Sequence, residues 1–308
     1  MAYHVPVLAA ESIDALRIQP DGIYVDATFG GGGHAALILQ NLGDKGRLLG
    51  FDQDEDAQAN IPPDKRLTFI PHNFRNLQQW LRVYGIAQVD GILADLGVSS
   101  HQFDEGERGF SYRFDASLDM RMNRQATLTA ADVLNAYSAD ELQRVFGEWG
   151  EVRNTKTLAA AVVTARNYHR FQSVSDLLAV AEPLARGERI RYLSQVFQAL
   201  RIAVNDEMGA LEDFLRQSVA ALKPGGRLVV ISYHSLEDRM VKHFLKAGNA
   251  AGIPDKDFYG HISRPFELVN KKPLLPSNEE IKQNPRARSA KLRAGERTNE
   301  LITPHNPS

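Results

Sequence analysis

The chain contains no cysteine in its 308 residues. This absence excludes disulfide bonds, thiolate zinc sites and any mechanism that uses a cysteine nucleophile. Long apolar runs are also absent: the longest, Leu158–Ala165, is interrupted by Thr164 and is far shorter than the roughly 18 residues that cross a bilayer. The first residues show neither a cationic start nor a small-residue cleavage site. We therefore expect a cytoplasmic protein with no secretory signal and no membrane partner.

A strong excess of one charge is missing as well. The 36 basic and 38 acidic residues give a net charge of −2, whereas dedicated binders of naked nucleic acid usually carry a large positive excess. The most basic stretch is Lys282–Arg297, in which Glu296 is the single acid. Any contact with RNA or DNA must therefore use a local basic surface, although this stretch could equally be a solvated tail or an edge strand.

Short apolar strands alternate with helical segments in the first third of the chain. The predicted strands are Ile23–Ala27, Arg47–Phe51, Leu67–Pro71 and Val89–Ala94, and the predicted helices include His34–Leu42 and Asn76–Tyr84. This alternation predicts an α/β fold with a parallel, doubly wound sheet.

The pattern then becomes helical. Between Phe103 and Asn205 apolar residues recur at helical spacing, in the segments Thr129–Phe146, Thr157–Tyr168, Val174–Ala185 and Tyr192–Val204. A helix over Asp206–Leu222, a turn at Lys223–Gly226, a strand at Arg227–Ile231 and a helix over Leu236–Ala247 follow, with weaker strands near Glu267–Asn270 and Ala290–Arg293. We therefore predict one α/β domain, residues 1–104 and 206–308, interrupted by an all-helical insertion domain, residues 105–205.

A glycine-rich loop joins the first predicted strand to the first predicted helix. Gly30, Gly32 and Ala35 fit the pattern G-x-G-x-x-G/A, in which glycines let the backbone bend and approach a ligand closely. Asp52 ends the second predicted strand, where an acid can accept hydrogen bonds from both ribose hydroxyls of an adenosine. Together these features predict a nucleoside-cofactor site; the alternative is a tight turn without a ligand.

The charge next to the loop distinguishes two possible cofactors. Asp26 precedes the glycines, where a carboxylate would repel the pyrophosphate of NAD and attract the ammonium and sulfonium of S-adenosylmethionine. This favours S-adenosylmethionine. The acidic run that begins at Asp52 does not predict calcium, because Ala57 and Pro63 occupy the positions where an EF-hand needs Gly and Glu. We therefore expect no metal site.

The fourth predicted strand ends in Asp95, with Ser99 shortly after it. Ligands of open α/β sheets bind beyond the carboxyl ends of the strands, so both side chains are expected to face the group being transferred. Helix capping is the alternative role for each.

Eight sequence blocks, in order along nearly the whole chain, resemble one family. They are His4–Leu8, Asp26–His34, Asp95–Ser100, Arg108–Ser111, Leu118–Met122, Phe197–Ile202, His234–Arg239 and Asn284–Ser289. The chain thus resembles the bacterial 16S ribosomal RNA (cytosine-N4)-methyltransferases, the MraW or RsmH family. It departs from the common pattern at Ala116-Ser117, often Gly-Pro, and at Ala35, often Ser.

The resemblance implies S-adenosylmethionine-dependent methylation of N4 of one cytidine in the decoding region of small-subunit rRNA. It also implies a class I methyltransferase fold, a Rossmann-like sheet with a helical insertion. The implied cofactor contacts are Gly32, Gly33, His34, Asp52, Phe74, Asp95 and Gln102, to which the loop argument adds Asp26 and Gly30. An aromatic such as Phe74 can pack on adenine.

Methylation of cytosine C5 generally needs a cysteine, which this chain lacks, whereas transfer to N4 can occur by direct displacement. The enzyme must then hold the amino protons with acceptors. We predict that this acceptor is Asp95 or a backbone carbonyl beside it, with Ser99 and His234 as helpers; a structural role is the alternative for His234. We also predict that five arginines contact 16S rRNA, within the assembled small subunit because the net charge is near neutral: Arg108, Arg121, Arg286, Arg288 and Arg293.

Two other functions remain open at this point. An NAD-dependent dehydrogenase would explain the glycine loop and Asp52, but not Asp26 or the later blocks. A non-catalytic RNA-binding assembly factor would explain the basic segment, but not an intact loop with Asp95. The sequence predicts neither a monomer nor a homodimer.

Overall fold

A computed structural model describes residues 6–98, 106–254 and 264–300. The chain forms two compact units, one made of residues 1–97 and 209–308 and the other of residues 98–208. The predicted contacts Ser99 and Gln102 lie outside the described residues.

The first unit contains a single seven-stranded sheet. Its strands are β1 (Ile23–Asp26), β2 (Arg47–Phe51), β3 (Leu67–Ile70), β4 (Val89–Asp95), β5 (Leu222–Ser232), β6 (Phe266–Leu268) and β7 (Lys291–Arg297). They lie in the order β3-β2-β1-β4-β5-β7-β6, and β7 runs in the opposite direction to the other six strands. The predicted α/β fold with a doubly wound sheet is confirmed.

Helices cover both faces of this sheet. Consecutive strand residues alternate between two apolar clusters, so that Ile92 packs with one and Leu93 with the other. Strands that are buried on both faces need continuous apolar sequence, which explains why the runs along the chain predicted them. The first cluster also holds Phe214 and Phe244 from later helices, whereas the second holds Ile38 from the helix after the glycine loop.

The helices of the first unit begin and end at the following residues: α1 (Ala9–Leu16), α2 (Gly33–Asn41), α3 (Leu77–Val83), α9 (Glu207–Ala221, which starts in the second unit), α10 (Ser235–Ala247) and α11 (Asn278–Gln283). The second unit contains α4 (Ala130–Ala136), α5 (Ala139–Arg144), α6 (Thr155–Arg166), α7 (Val174–Ala181) and α8 (Arg189–Asn205) around its own apolar core. No helix in the described part of the chain is both long and apolar enough to cross a membrane.

Two local predictions were wrong in detail. The single helix expected over Thr129–Phe146 is two helices, because Tyr137 is extended and Ser138 starts a new capping box with Glu141. The turn expected at Lys223–Gly226 lies inside β5. Leu222 pairs with Val89 and Arg227 pairs with Gly91, so the register of β5 against β4 shifts between these two pairs.

Candidate active site

The glycine loop has the sharp backbone that its sequence predicted. Gly30 and Gly32 have positive φ angles of 51° and 76°, and Gly32 is the N-cap of α2. At Gly33 any larger residue would crowd Pro6, because a Cβ there would lie 3.3 Å from the proline ring. The loop therefore brings backbone N–H groups to the carboxyl end of β1, where a ligand can reach them.

Asp52 links the end of β2 to this loop. Its Oδ2 accepts a hydrogen bond from the Gly30 N–H at 2.7 Å, and its Oδ1 accepts from the Asp54 N–H at 2.8 Å. Burial raises the pKa of Asp52 to about 6, against the opposing effect of these backbone donors. Each carboxylate oxygen can accept a second bond, so Asp52 can orient the loop and still bind hydroxyl groups.

Asp26 is the most deeply buried acid of the site, with 1% of its surface exposed. Its Oδ1 accepts from the Thr28 N–H, while Oδ2 is buried and has no hydrogen-bond partner among the described residues. Burial raises the pKa of Asp26 to about 6; His34 opposes this rise, and Asp95 and Asp52 add to it. A buried carboxylate oxygen without a donor is costly, and a cationic ligand would relieve that cost.

His34 lies between the N-terminal segment and the acids. Its Nε2 is 3.0 Å from the carbonyl oxygen of Val7, and its Nδ1 is 3.8 Å from Oδ2 of Asp95. Since a carbonyl can only accept, Nε2 is the protonated nitrogen. Burial lowers the pKa of His34, which favours a neutral ring.

Asp95 ends β4 and has the highest pKa of the three acids. Its backbone N–H donates to Oγ1 of Thr28 at 2.7 Å, and its Oδ1 accepts from the Tyr233 hydroxyl at 2.8 Å. Burial raises the pKa of Asp95 to about 7; the Tyr233 bond lowers it, and the charge of Glu237 raises it. Sequence reasoning missed Tyr233, although its place directly after the apolar strand β5 is the kind of position that contributes to such sites.

Phe74 and His234, the other predicted site residues that the structure describes apart from the arginines, have ordinary structural contacts. Phe74 packs edge-to-face on Phe214, with ring centroids 5.1 Å apart, and is partly exposed. His234 is the N-cap of α10: its Nδ1 accepts from the Glu237 N–H at 3.4 Å, and its Nε2 lies 3.1 Å from Oε1 of Glu237. Capping accounts for Nδ1 of His234, and the catalytic role of this residue stays a prediction.

The donor set fits the cofactor predicted from sequence. Asp26, Asp52 and Asp95 end the neighbouring strands β1, β2 and β4, and each has a pKa raised by burial. A ligand that carries an ammonium and a sulfonium would stabilise the ionised forms of these acids, whereas a pyrophosphate would be repelled by them. The orphaned Oδ2 of Asp26 is the observation that fits S-adenosylmethionine best.

The structure argues against three of the five predicted RNA contacts. Arg293 is 9% exposed and forms a two-bond ion pair with Asp238, at 2.7 and 3.2 Å. Arg121 forms the same kind of pair with Asp119, at 2.7 Å in both bonds.

The third of these arginines, like Arg293, is buried. Arg108 is 6% exposed, and its guanidinium lies 5.3 Å from the Phe110 ring centroid. Arg286, which is partly exposed, and Arg288, which is exposed, lie on the short helix Pro285–Ser289.

Comparison with known proteins agrees with this geometry. A "Ribosomal RNA small subunit methyltransferase H" from Bacteroides thetaiotaomicron is 56% identical over 298 residues, covering 96% of this chain and 98% of the relative. One of the same name from Flavobacterium johnsoniae is 54% identical over 298 residues, with the same coverage of 96% and 98%. Both names are those of methyltransferases, which leaves the dehydrogenase and the non-catalytic hypotheses without support.

A solved rRNA methylase from Streptococcus thermophilus is more distant. It is 13% identical, with a TM-score of 0.42 over 97% of this chain and 99% of that one. Because this similarity is weak, our description of the fold rests on the observed strand order alone. A sequence model of the MraW methylase family, in contrast, matches residues 1–298. The chain belongs to the MraW methylase family.

Proposed function

We propose that this chain transfers a methyl group from S-adenosylmethionine to small-subunit ribosomal RNA, at the exocyclic N4 of a cytidine in the decoding region of 16S rRNA. The observation that carries the proposal is the cluster of Asp26, Asp52 and Asp95 around the glycine loop, in a chain of the methylase family. The names of the relatives support the class of RNA, and the resemblance of the sequence blocks supports the position on the base.

The proposed chemistry assigns a separate task to each acid. S-adenosylmethionine, when bound, supplies a methyl group on a positively charged sulfur. Asp26 and the backbone amides of the loop would hold its charged amino-acid end, and Asp52 its ribose hydroxyls. Asp95 would accept a hydrogen bond from the target amine, which orients the nitrogen lone pair toward the methyl group, and would take one amine proton once the methyl group has been transferred. With a pKa of about 7, Asp95 is suited to act as a base near neutral pH.

The absence of cysteine supports N4 over C5 as the target atom. Direct displacement at N4 needs an oriented amine and an acceptor for its proton. It proceeds without a covalent enzyme intermediate. Orientation of the two reactants can contribute about 7 kcal/mol or more to such a transfer. Ser99 stays a predicted helper of Asp95, and Gln102 stays a predicted contact with the cofactor.

Access to the RNA is the second part of the proposal. A cytosine in structured RNA must leave its stack to reach a pocket at a sheet edge. Arg286 and Arg288 would bind phosphates, and the helical insertion, residues 105–205, would recognise the surrounding substrate. Because the net charge is −2, we propose the assembled small subunit in the cytoplasm, not naked RNA, as the docking partner.

A tritium-transfer assay on unmodified small subunits tests this function. The purified chain is expected to label the subunits and to label short naked RNA much less. Asp95→Asn should lose almost all transfer. Asp90→Asn is the matched control, because Asp90 lies near the other end of β4, where it binds Lys223 and the Ile23 N–H. Equal labelling of naked RNA would reject the docking partner, and no labelling would reject the function.

A further inference from the structure

Tyr233 and Asp95 are neighbours because their strands are paired. Asp95 is the last residue of β4 and pairs with Ile231 on β5, and Tyr233 follows Ser232 at the end of that strand. The Tyr233 hydroxyl donates to Oδ1 of Asp95 at 2.8 Å. A hydrogen bond to a carboxylate is about twice as strong as one between neutral groups, so this contact can fix the orientation of the carboxyl group.

The backbone of Tyr233 is itself held firmly. Oε2 of Glu237, a residue that is 3% exposed, accepts from the N–H groups of Tyr233 at 2.9 Å and of His234 at 3.3 Å. The second of these bonds belongs to the capping box that starts α10. The tyrosine is therefore placed by the end of a central strand and the start of a helix, both of which are more precise supports than a loop.

The two oxygens of Asp95 have different surroundings. Oδ1 is occupied by the tyrosine hydroxyl, while Oδ2 lies 3.8 Å from Nδ1 of His34, beyond hydrogen-bond distance. The Asp95 backbone is held by Thr28, so rotation of the side chain is the freedom that Tyr233 removes.

We propose that Tyr233 is a positioning residue of the methyl transfer: its hydroxyl occupies Oδ1 of Asp95 and leaves Oδ2 to take the proton of the target amine. The inference rests on the proposed function. In that step the amine nitrogen bonds to the methyl carbon as the carbon–sulfur bond breaks, and the electron pair of that bond stays on sulfur. One N–H proton then passes to Oδ2, which leaves a neutral methylated amine and a neutral Asp95.

The surroundings of Asp95 indicate what loss of the hydroxyl should do. The groups that face Asp95 are Asp26 on β1, His34 on α2, and Tyr233 with Glu237 at the start of α10. Among them the tyrosine bond lowers the pKa of Asp95, and Glu237 raises it. Burial and the charge of Asp95 raise the pKa of Tyr233, so the hydroxyl remains a donor at every working pH.

Tyr233→Phe tests the proposal, because it removes the hydroxyl and keeps the ring. The acid limb of the pH–rate profile should move up by about one pH unit, the loss expected when a carboxylate loses a hydrogen bond of this kind. The kcat should therefore fall about fivefold at pH 7 and recover largely at pH 9, with an unchanged KM for the RNA. A merely structural loss would not recover at high pH.

Tyr24→Phe is the matched control. Tyr24 is a buried tyrosine of the same unit, 1% exposed, whose hydroxyl accepts from the Gln19 N–H at 2.8 Å. Its variant should lower the melting temperature and leave the acid limb in place. A Tyr233→Phe profile with the wild-type limb, or with the same deficit at every pH, would overturn the proposal.

Calorimetry of S-adenosylmethionine binding separates this proposal from the proposed function. The affinity for S-adenosylmethionine should decline below a certain pH, measured with no RNA present. In Tyr233→Phe this pH should be about one unit higher than in the wild type. If the wild type transfers methyl groups and the midpoint does not move in Tyr233→Phe, the role of Tyr233 fails alone. If the wild type transfers no methyl group, the proposed function fails, and a shifted midpoint then shows only that Tyr233 holds the carboxyl group of Asp95.

Discussion

Asp26 shows how a single residue can favour ligand binding at the expense of the stability of the free protein. Burial raises its pKa from 3.8 to about 6, so the folded chain holds this proton more tightly than the unfolded chain does. Ionisation of Asp26 therefore costs stability as the pH rises from about 4 through about 6, and the cost is fully present above that range. A bound cation would offset it.

Asp26→Asn should consequently stabilise the ligand-free protein. At pH 8 the free energy of unfolding should rise by roughly 2–3 kcal/mol, because the amide keeps the bond to Thr28 and carries no charge. The gain should vanish near pH 4, where the native carboxyl is protonated, and S-adenosylmethionine should bind at least about tenfold more weakly. Denaturant unfolding at both pH values and calorimetry measure these effects.

Asp64→Asn is the control of opposite sign. The side chain of Arg66 lowers the pKa of Asp64 to about 2, so its substitution should not stabilise the protein at pH 8. A gain for Asp26→Asn that is independent of pH would contradict the ionisation argument and point to better packing of the amide.

At the scale of elements, the start of α2 combines a helix terminus with the loop predicted to bind the cofactor. Gly32 has a φ of +76° and caps the helix, and a Cβ at this position would lie 3.2 Å from Cζ of Phe29. Only glycine adopts this conformation without strain. The same residue therefore determines where the helix begins and where the loop amides point.

Gly32→Ala should weaken S-adenosylmethionine binding in addition to lowering stability. The left-handed conformation should cost about 1–2 kcal/mol of folding free energy, and the loop should shift to relieve the contact with Phe29. Gly85→Ala is the matched control, since Gly85 has a φ of +65° after α3 with open space around it. It should lose similar stability and bind the cofactor normally. Normal binding by folded Gly32→Ala would show that the loop geometry is not required.

Elements that depend on local signals were predictable from the sequence. The bounds of β2, Arg47–Phe51, were predicted correctly, because an apolar run between two turns has no other stable place in this fold. The break at Ser138 was missed although its signal was present, as Ser138 and Glu141 have capping-box spacing.

Contacts between distant residues were not predictable. The hydroxyl of Tyr233 reaches Asp95 from 138 positions away in the chain, and Arg293 is neutralised by Asp238, 55 positions away. No local sequence pattern predicts either contact, because both depend on the pairing of strands and the packing of α10. The sequence therefore predicted three acids that the fold places at the carboxyl ends of β1, β2 and β4, and overestimated the number of arginines that face solvent.

At the scale of the whole molecule, basic side chains form ion pairs with acidic side chains of the same chain. The chain has a net charge of −2, and Arg121 and Arg293 are each bound to an aspartate. The basic segment therefore exposes less positive charge than its composition indicates. Of its three arginines predicted to contact RNA, Arg293 is buried, Arg286 is partly exposed and Arg288 is exposed.

Replacing Arg286 and Arg288 with Gln should weaken binding to the small subunit and leave S-adenosylmethionine affinity unchanged. If each contacts one phosphate, the log–log salt dependence of binding should flatten by about 1.4–1.8. Arg293→Gln is the control, because it breaks the pair with Asp238 and should lower the melting temperature without changing the salt slope. The reverse pattern would show that Arg293, not the exposed pair, binds RNA.

The identity of the methylated nucleoside tests the central claim most directly. Unmodified small subunits are incubated with the chain and methyl-labelled S-adenosylmethionine, and their RNA is digested to nucleosides and separated by mass. We predict that all transferred label appears in N4-methylcytidine, and that Asp95→Asn yields almost none. Label in 5-methylcytidine or on a ribose oxygen, or undiminished N4 labelling by Asp95→Asn, would contradict the account.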